Sequence, residues 1–446
     1  MLSLTVECVM TQKRFKIITL GCKVNQYESA YLEEQLKGSG WLKVSKSGGA
    51  DVTVINTCIV THRASYQSRQ SIRKAIRENP SGMTAAIGCY AQVFPEELSR
   101  IEGIGMIAGN TEKGRLPDAL LKGKESCRSW VVPEDFSKKT PFEYLPIKAF
   151  LDRTRAFLKI QDGCESFCSY CIVPFARGPL RSLDLSQVIK ALQSLCDNGY
   201  KEIVLTGVHL GRYGVDLEDR IELKDLLLEI GKERLPLRIR LSSLEPKEID
   251  QDLIDIIASE EWLCRHFHIP LQSGDDRILE KMNRHYTSKE FDELIRRIHE
   301  RIPLAAIGVD VIAGFPGEGD NAHQNSYSLI NDLPISYLHV FPFSPRKGTS
   351  AAGFPDQVDH EVIKKRAGEL RNLGQRKRKA FYRSCLGIVL PVLAEGWHSE
   401  EEEVIKGLSD NYLSVIFPSP RLIRNRILKV RAEDLDKGVL IGKPLF

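Results

Sequence analysis

Two long stretches of the chain alternate short apolar runs with helical patterns, and this alternation restricts the fold to the α/β class. In the first stretch the strand-like runs are RFKIITLGC, DVTVINTC, MTAAIGC and GMIAGN. Between them lie ESAYLEEQLKGSG, YQSRQSIRKAIRENP, PEELSRI and KGRLPDALLKG, with helical spacing. Four βα units with short connections predict an open parallel sheet covered by helices. The second stretch carries AFLKIQ, EIVLTGV, RIRLSS, FHIPLQ, AIGVDVIAG and YLHVFPF, with helical patterns over 184–197, 222–233, 247–259, 288–301 and 322–332. Six such units fall short of a closed (β/α)8 barrel and predict a partial (β/α)6 barrel with an open side.

A basic helical segment follows at about 359–384, and short β-like runs fill 386–446. The end of the chain is therefore expected to form a small all-β barrel, of a type used for nucleic acid. The organisation expected is an N-terminal extension 1–13, an open α/β domain 14–125, a linker 126–149, a partial barrel with its basic helix 150–384, and a β-domain 385–446.

No apolar stretch approaches the roughly 20 residues of a membrane span. The first residues, MLSLTVECVMTQKRFK, lack the pattern of a secretory leader. A cytoplasmic protein without a membrane partner is expected. The net charge is only +4, but KKRAGELRNLGQRKRKAFYR and RLIRNRILKVR concentrate basic residues in the last third. That distribution points to a polyanion, against the plainer alternative of a solvated helix face.

Eleven cysteines in a reducing compartment point to metal or catalysis before disulfides. The first three strands each end on one: Cys22, Cys58 and Cys89. Sites in open parallel sheets form beyond the carboxyl ends of the strands, and neighbouring strands lie about 4.8 Å apart. Three such thiols are expected to converge as a ligand set rather than serve as buried small hydrophobes. Cys8, Cys127, Cys196, Cys264 and Cys385 are expected to be buried or incidental.

The run DGCESFCSYCIVP follows the first barrel strand and carries Cys164, Cys168 and Cys171. Its C-x3-C-x2-C spacing supplies three thiols, whereas a structural zinc site takes four ligands. His209, His266 and His268 are the alternatives for a fourth. A [4Fe–4S] cluster held by three thiolates instead leaves one iron open to a small molecule.

This spacing, with Tyr170 before the last cysteine, resembles the signature of the radical S-adenosylmethionine (SAM) enzymes. The order of domains is similar to that of the methylthiotransferases, ending in an RNA-binding TRAM-like β-barrel. The resemblance implies two [4Fe–4S] clusters, one on Cys164, Cys168 and Cys171 and one on Cys22, Cys58 and Cys89. It implies S-adenosyl-L-methionine as both methyl donor and radical source, with the clusters facing one cavity. TLGCKVNQYES and NTCIVTHRASYQSRQSIRKA look most like the enzymes acting on N6-threonylcarbamoyladenosine just 3′ of the tRNA anticodon. Those enzymes insert a methylthio group at adenine C2. Isopentenyladenosine in tRNA and a ribosomal protein are the competing substrates of the family; a zinc-stabilised RNA-binding module is the alternative outside it. The resemblance further implies tRNA (the anticodon stem-loop) as partner and a low-potential electron donor such as flavodoxin or ferredoxin.

For SAM, the strand-end runs offer Gly207, Ser243, Glu245 and Gln272 as candidate contacts, with Tyr170 beside the adenine. Thr206, Ser242, Ser273, Asp310 and Gly314 stand at the same barrel mouth. Glycine lets backbone approach a ligand, and Ser, Glu and Gln can bond ribose and amino acid groups. Arg177 and Arg181 fit either an anionic ligand or an ordinary salt bridge.

Overall fold

The computed structural model describes residues 12–45, 49–122, 136–137, 140–150 and 153–445. Most of the extension 1–13, part of the linker 126–149, and Cys8 and Cys127 lie outside the described residues. The chain divides into two compact units, Met1–Phe136 and Ser137–Phe446.

In the first unit the strands are β1 (Arg14–Thr19), β2 (Leu42–Lys43), β3 (Val52–Thr57), β4 (Met83–Gly88) and β5 (Met106–Ala108). They form one parallel sheet in the order β2-β1-β3-β4-β5. The helices are α1 (Lys23–Gly38), α2 (His62–Glu78), α3 (Cys89–Val93), α4 (Pro95–Ser99) and α5 (Leu116–Lys122). Every residue of β3 and β4 is buried, as parallel strands covered on both faces require. Phe15, Val52, Val54, Met83, Ala85 and Ile87 pack with Leu32, Leu36, Leu116 and Leu120 on one side.

The second unit begins with β6 (Arg155–Lys159), β7 (Gln161–Asp162), α6 (Val173–Arg177), β8 (Arg181–Ser182) and α7 (Leu185–Asp197). It continues through β9 (Glu202–Thr206), α8 (Leu223–Lys232), β10 (Arg238–Leu241), α9 (Gln251–Ser259), β11 (His266–Gln272), α10 (Asp276–Lys281) and α11 (Ser288–Arg301). Then come β12 (Ala306–Ala313), α12 (Asp320–Asp332), β13 (Tyr337–Pro342) and the long helix α13 (His360–Ser384). Strands β6, β9 and β10 form one parallel sheet, and β11, β12 and β13 another. They meet where the Leu244 N–H donates to the His268 carbonyl at 3.0 Å. This is the expected partial six-stranded barrel.

Five further strands, β14 (Val389–Ser399), β15 (Val404–Ser409), β16 (Ser414–Pro418), β17 (Ile427–Asp436) and β18 (Val439–Pro444), close into a barrel in the order β14-β15-β16-β18-β17. Two buried arginines of β10 tie this barrel to the larger one. Arg238 donates to the carbonyls of Pro391 and Leu408 at 2.7 and 2.8 Å. Arg240 donates to those of Asp410 and Ser409 at 2.8 and 3.0 Å. Among the described residues, no helix is long and apolar enough to cross a membrane.

Candidate iron–sulfur and S-adenosylmethionine sites

The strand-end thiols of the first unit leave neighbouring strands, as the parallel register dictates. Thr19 pairs with Asn56, and Thr57 with Gly88, so Cys58 and Cys89 leave adjacent strands at the same level. Cys22 caps the start of α1. Gly21 before it has φ +94°, and a Cβ there would stand 2.8 Å from the Cys58 sulfur. Only glycine permits that approach. A set of short polar side chains fixes the three loops. Asn25 Nδ2 donates to the carbonyls of Leu20 and Thr57 at 2.8 and 3.0 Å. Thr57 Oγ1 donates to the Ile87 carbonyl at 2.6 Å and accepts the Tyr90 N–H at 3.2 Å. Ser68 Oγ accepts the Cys58 N–H at 3.2 Å. The Asn110 amide donates to the Cys89 sulfur at 3.6 Å. Cys22 is exposed, whereas Cys58 and Cys89 are buried.

In the second unit the three thiols sit on a loop between β7 and α6. Gly163 opens it at φ +78°, where a Cβ would run into the Pro179 carbonyl. The Cys164 N–H donates to the Gly178 carbonyl at 3.0 Å, and the Cys171 N–H to the Cys168 carbonyl at 2.9 Å. Asn283 braces the loop from outside, donating to the carbonyls of Ser166 and Phe167 at 3.2 and 3.1 Å.

Each sulfur of this loop faces a nitrogen. His209 Nδ1 lies 3.5 Å from Cys164 Sγ. Arg284 Nη1 donates to Cys168 Sγ at 3.4 Å, and the Val173 N–H to Cys171 Sγ at 3.4 Å. Burial pushes the Cys171 thiol up to about 12, against the opposing Val173 N–H. Burial acts the same way on Cys164, but the hydrogen bonds from His209 and Ser166 outweigh it and hold that thiol below its ordinary value. Burial alone would lower His209; Cys164 and the Glu248 carboxylate, 2.6 Å from Nε2, raise it to about 10.

This donor set fits a thiolate-bound cluster. Metal binding displaces the thiol proton, and N–H groups aimed at sulfur tune such clusters. It does not fit one zinc ion. Among the described residues, the group of three Cys, His, Asp or Glu ligating atoms within 4.8 Å of one another is His268, Asp310 and His339, not these thiols. His209 does approach the loop, while His266 bonds Tyr337 and His268 bonds Ser243 and Asp310.

Beside the loop lies a cavity of about 380 Å³, lined by Cys168, His209, Glu245, Glu248, Arg284 and Tyr286 among others. Its size suits a small ligand. Glu245 is the one predicted cofactor residue in that lining. Its carboxylate pairs with Arg284, which also stacks 5.0 Å above the Tyr286 ring. Burial raises the Glu245 pKa, with Arg284 opposing.

The other four candidates lie elsewhere. Tyr170 packs against the apolar cluster of Ile278, Met282 and Phe315. Gly207 makes room for Gln161, whose Oε1 accepts the His209 N–H at 2.7 Å. Ser243 Oγ is 2.8 Å from His268 Nδ1. Gln272 ends β11 at a register shift with φ +62°. Arg177 and Arg181 join Lys159 around the buried Asp162, at 3.5, 3.7 and 3.0 Å. Burial opposes the Asp162 charge, but these cations hold its carboxyl far below the usual range. Cys264 and Cys385 are packed in the interior.

Sequence reasoning missed Arg284, Glu248, Asn283 and Tyr286. The segment 282–286, MNRHY, follows a short helix and carries no spacing that marks it.

Gln272 supplies a prediction. A left-handed backbone at a non-glycine residue costs of order 1 kcal/mol or more and clusters at ligand sites. Its side-chain amide makes no hydrogen bond among the described residues. Gln272→Gly is expected to stabilise the protein by about 1 kcal/mol, read by urea unfolding. Unchanged or lower stability would mean that the register shift in β11 holds this backbone without strain.

Comparison with known proteins matches residues 158–330 to the Radical SAM superfamily and residues 14–109 to Uncharacterized protein family UPF0004. The chain is 39% identical to the threonylcarbamoyladenosine tRNA methylthiotransferase MtaB of Bacillus subtilis (strain 168), over 93% of this chain and 92% of that protein. It is 33% identical to the tRNA-2-methylthio-N(6)-dimethylallyladenosine synthase of Oceanobacillus iheyensis, over 96% of this chain and 84% of that one. Among solved structures, the radical SAM methyltransferase TsrM of Kitasatospora setae shares the fold at TM-score 0.55 and 16% identity, over 77% of each chain. By these matches the chain belongs to the methylthiotransferase family of radical SAM proteins, with S-adenosylmethionine and [4Fe–4S] clusters as its cofactors.

Proposed function

We propose that the protein is a tRNA methylthiotransferase that inserts a methylthio group at C2 of N6-threonylcarbamoyladenosine. Cys164, Cys168 and Cys171 would hold the cluster that engages SAM, and Cys22, Cys58 and Cys89 a second one. When bound, these groups supply the reductive cleavage of SAM, the radical chemistry that opens an unactivated C–H bond, and the sulfur.

The chain's own residues do the rest. The nitrogens of His209, Arg284 and Val173 point at the three sulfurs, ready to bond them when a cluster is bound. Glu245 and Arg284 present a paired carboxylate and guanidinium to the cavity, a match for the amino and carboxylate ends of an amino acid. Gln161 donates to the carbonyls of Asp162 and Gly163, so the loop and the His209 backbone move as one piece. On α13 the side chains of Lys364, Lys365, Arg371, Arg378, Lys379 and Arg383 are exposed. Arg424, Arg426, Lys429 and Arg431 are exposed on the β-domain. Such cations grip a phosphate backbone without reading sequence.

The observation that carries the substrate assignment is the 39% identity, spanning nearly both chains, to a relative named for threonylcarbamoyladenosine. The relative named for dimethylallyladenosine makes that base the second reading. Mass spectrometry of total tRNA nucleosides from a strain lacking the gene separates them. The methylthio derivative of threonylcarbamoyladenosine is expected to vanish while its unmodified precursor accumulates. Loss of the dimethylallyl derivative instead, or no change in either, overturns the assignment.

A further inference from the structure

The barrel of the second unit assembles a further set of ligating side chains, none of them a cysteine. His268, Asp310 and His339 stand on the neighbouring parallel strands β11, β12 and β13. Asp310 is in register with His339 on one side and with Pro270, two residues from His268, on the other, so all three share one face. His268 Nε2 lies 2.8 Å and His339 Nδ1 3.2 Å from the same oxygen, Asp310 Oδ1. All three ligating atoms fall within 4.8 Å of one another.

We propose that these residues form a binding site for a single divalent transition-metal ion, distinct from the iron–sulfur sites. Two imidazoles and one carboxylate leave coordination positions open for water or another oxygen ligand. The 2.8 and 3.2 Å edges are those of donors each about 2.0–2.2 Å from a shared ion. The set also has the outer support that metal-binding histidines require. Ser243 Oγ stands 2.8 Å from His268 Nδ1, which fixes the ring and leaves Nε2 as the ligating nitrogen.

The chemistry separates this site from the thiol loops. Soft sulfur donors select iron–sulfur clusters, while imidazole and carboxylate suit zinc, manganese or a lone ferrous ion. Access runs past His339, whose side chain is half exposed on the edge strand, while His268 and Asp310 are 12% and 19% exposed.

Zinc chloride is a suitable probe. Iron–sulfur-loaded protein is dialysed anaerobically against it, and zinc and iron are counted by mass spectrometry in wild type, His339→Ala and His268→Ala. Wild type should hold about one zinc per chain more than either variant, at unchanged iron. His339 is exposed at a sheet edge, so its replacement leaves the core packing untouched. Equal zinc in all three proteins, or zinc that replaces iron, overturns the site.

Discussion

Alanine at Cys22, Cys58 and Cys89 together is expected to halve the bound iron, from about eight atoms per chain to about four, and to end methylthio transfer while SAM cleavage persists. The two thiol groups belong to separately folded units, each with its own core. The strand ends of the first unit are held by Asn25, Asn56, Thr57 and Ser68, none of which depends on a sulfur for its main bonds. The variant should therefore fold and keep its second site. The reciprocal triple alanine at Cys164, Cys168 and Cys171 should also lose half the iron, but it should lose SAM cleavage as well. Iron and sulfide analysis of anaerobic protein, with 5′-deoxyadenosine counted by chromatography, reads both. Full iron in the first variant would remove Cys22, Cys58 and Cys89 from the cofactor sites.

The strands that carry these thiols were legible because buried parallel strands are continuous apolar runs that end on turn residues. β1, β3 and β4 fall where RFKIIT, VTVINT and MTAAIG predict them. The elements that escaped notice had weak patterns. β2 is two residues at a sheet edge, and β15, VIKGLS, follows the acidic run EEEE that reads as a loop. The surroundings of the cluster loop were legible only in part, through His209 and Glu245. His209, the Glu245–Glu248 turn and Arg284 come from three separate segments and meet only when the strands close on one another. The left-handed backbone at Gln272 is likewise set by the bulge in β11, not by its residue type.

The plainest misdirection lies in β10, RIRL. Charge alternating with aliphatic residues promises arginines facing water. Arg238 and Arg240 are instead 4% and 1% exposed. What makes their burial tolerable is Glu202 on the neighbouring strand. It pairs with Arg238 at 2.6 Å and with Arg240 at 2.8 Å. The remaining guanidinium protons go to four backbone carbonyls of the β-domain. A composition-based division into barrel and β-domain misses this joint, because it is built from side chains within one strand and carbonyls some 150 to 170 positions away.

Removing Glu202 should therefore be among the most damaging single changes in the larger unit. Glu202→Ala strands two buried cations, and breaking such a pair costs about 3–5 kcal/mol. Apolar replacement of the arginines restores only part of the loss, because R238M/R240M also takes a donor from each of four carbonyls, of which those of Pro391 and Ser409 keep the N–H groups of Asp410 and Tyr412. Acid sensitivity follows from the same joint. Burial works against the Glu202 charge, but Arg240 and Arg238 outweigh it and lower its pKa to about 2. A carboxylate lowered in the folded state contributes stability that is complete above its unfolded value, about 4.3. That contribution is lost as pH falls from there through the folded value. Urea unfolding of wild type and E202A between neutral pH and pH 2 measures both effects. E202A should begin less stable and should lose less on acidification across that window. Acid curves that run parallel, or a neutral-pH difference below about 1 kcal/mol, would mean that the buried arginines are held by the β-domain carbonyls alone.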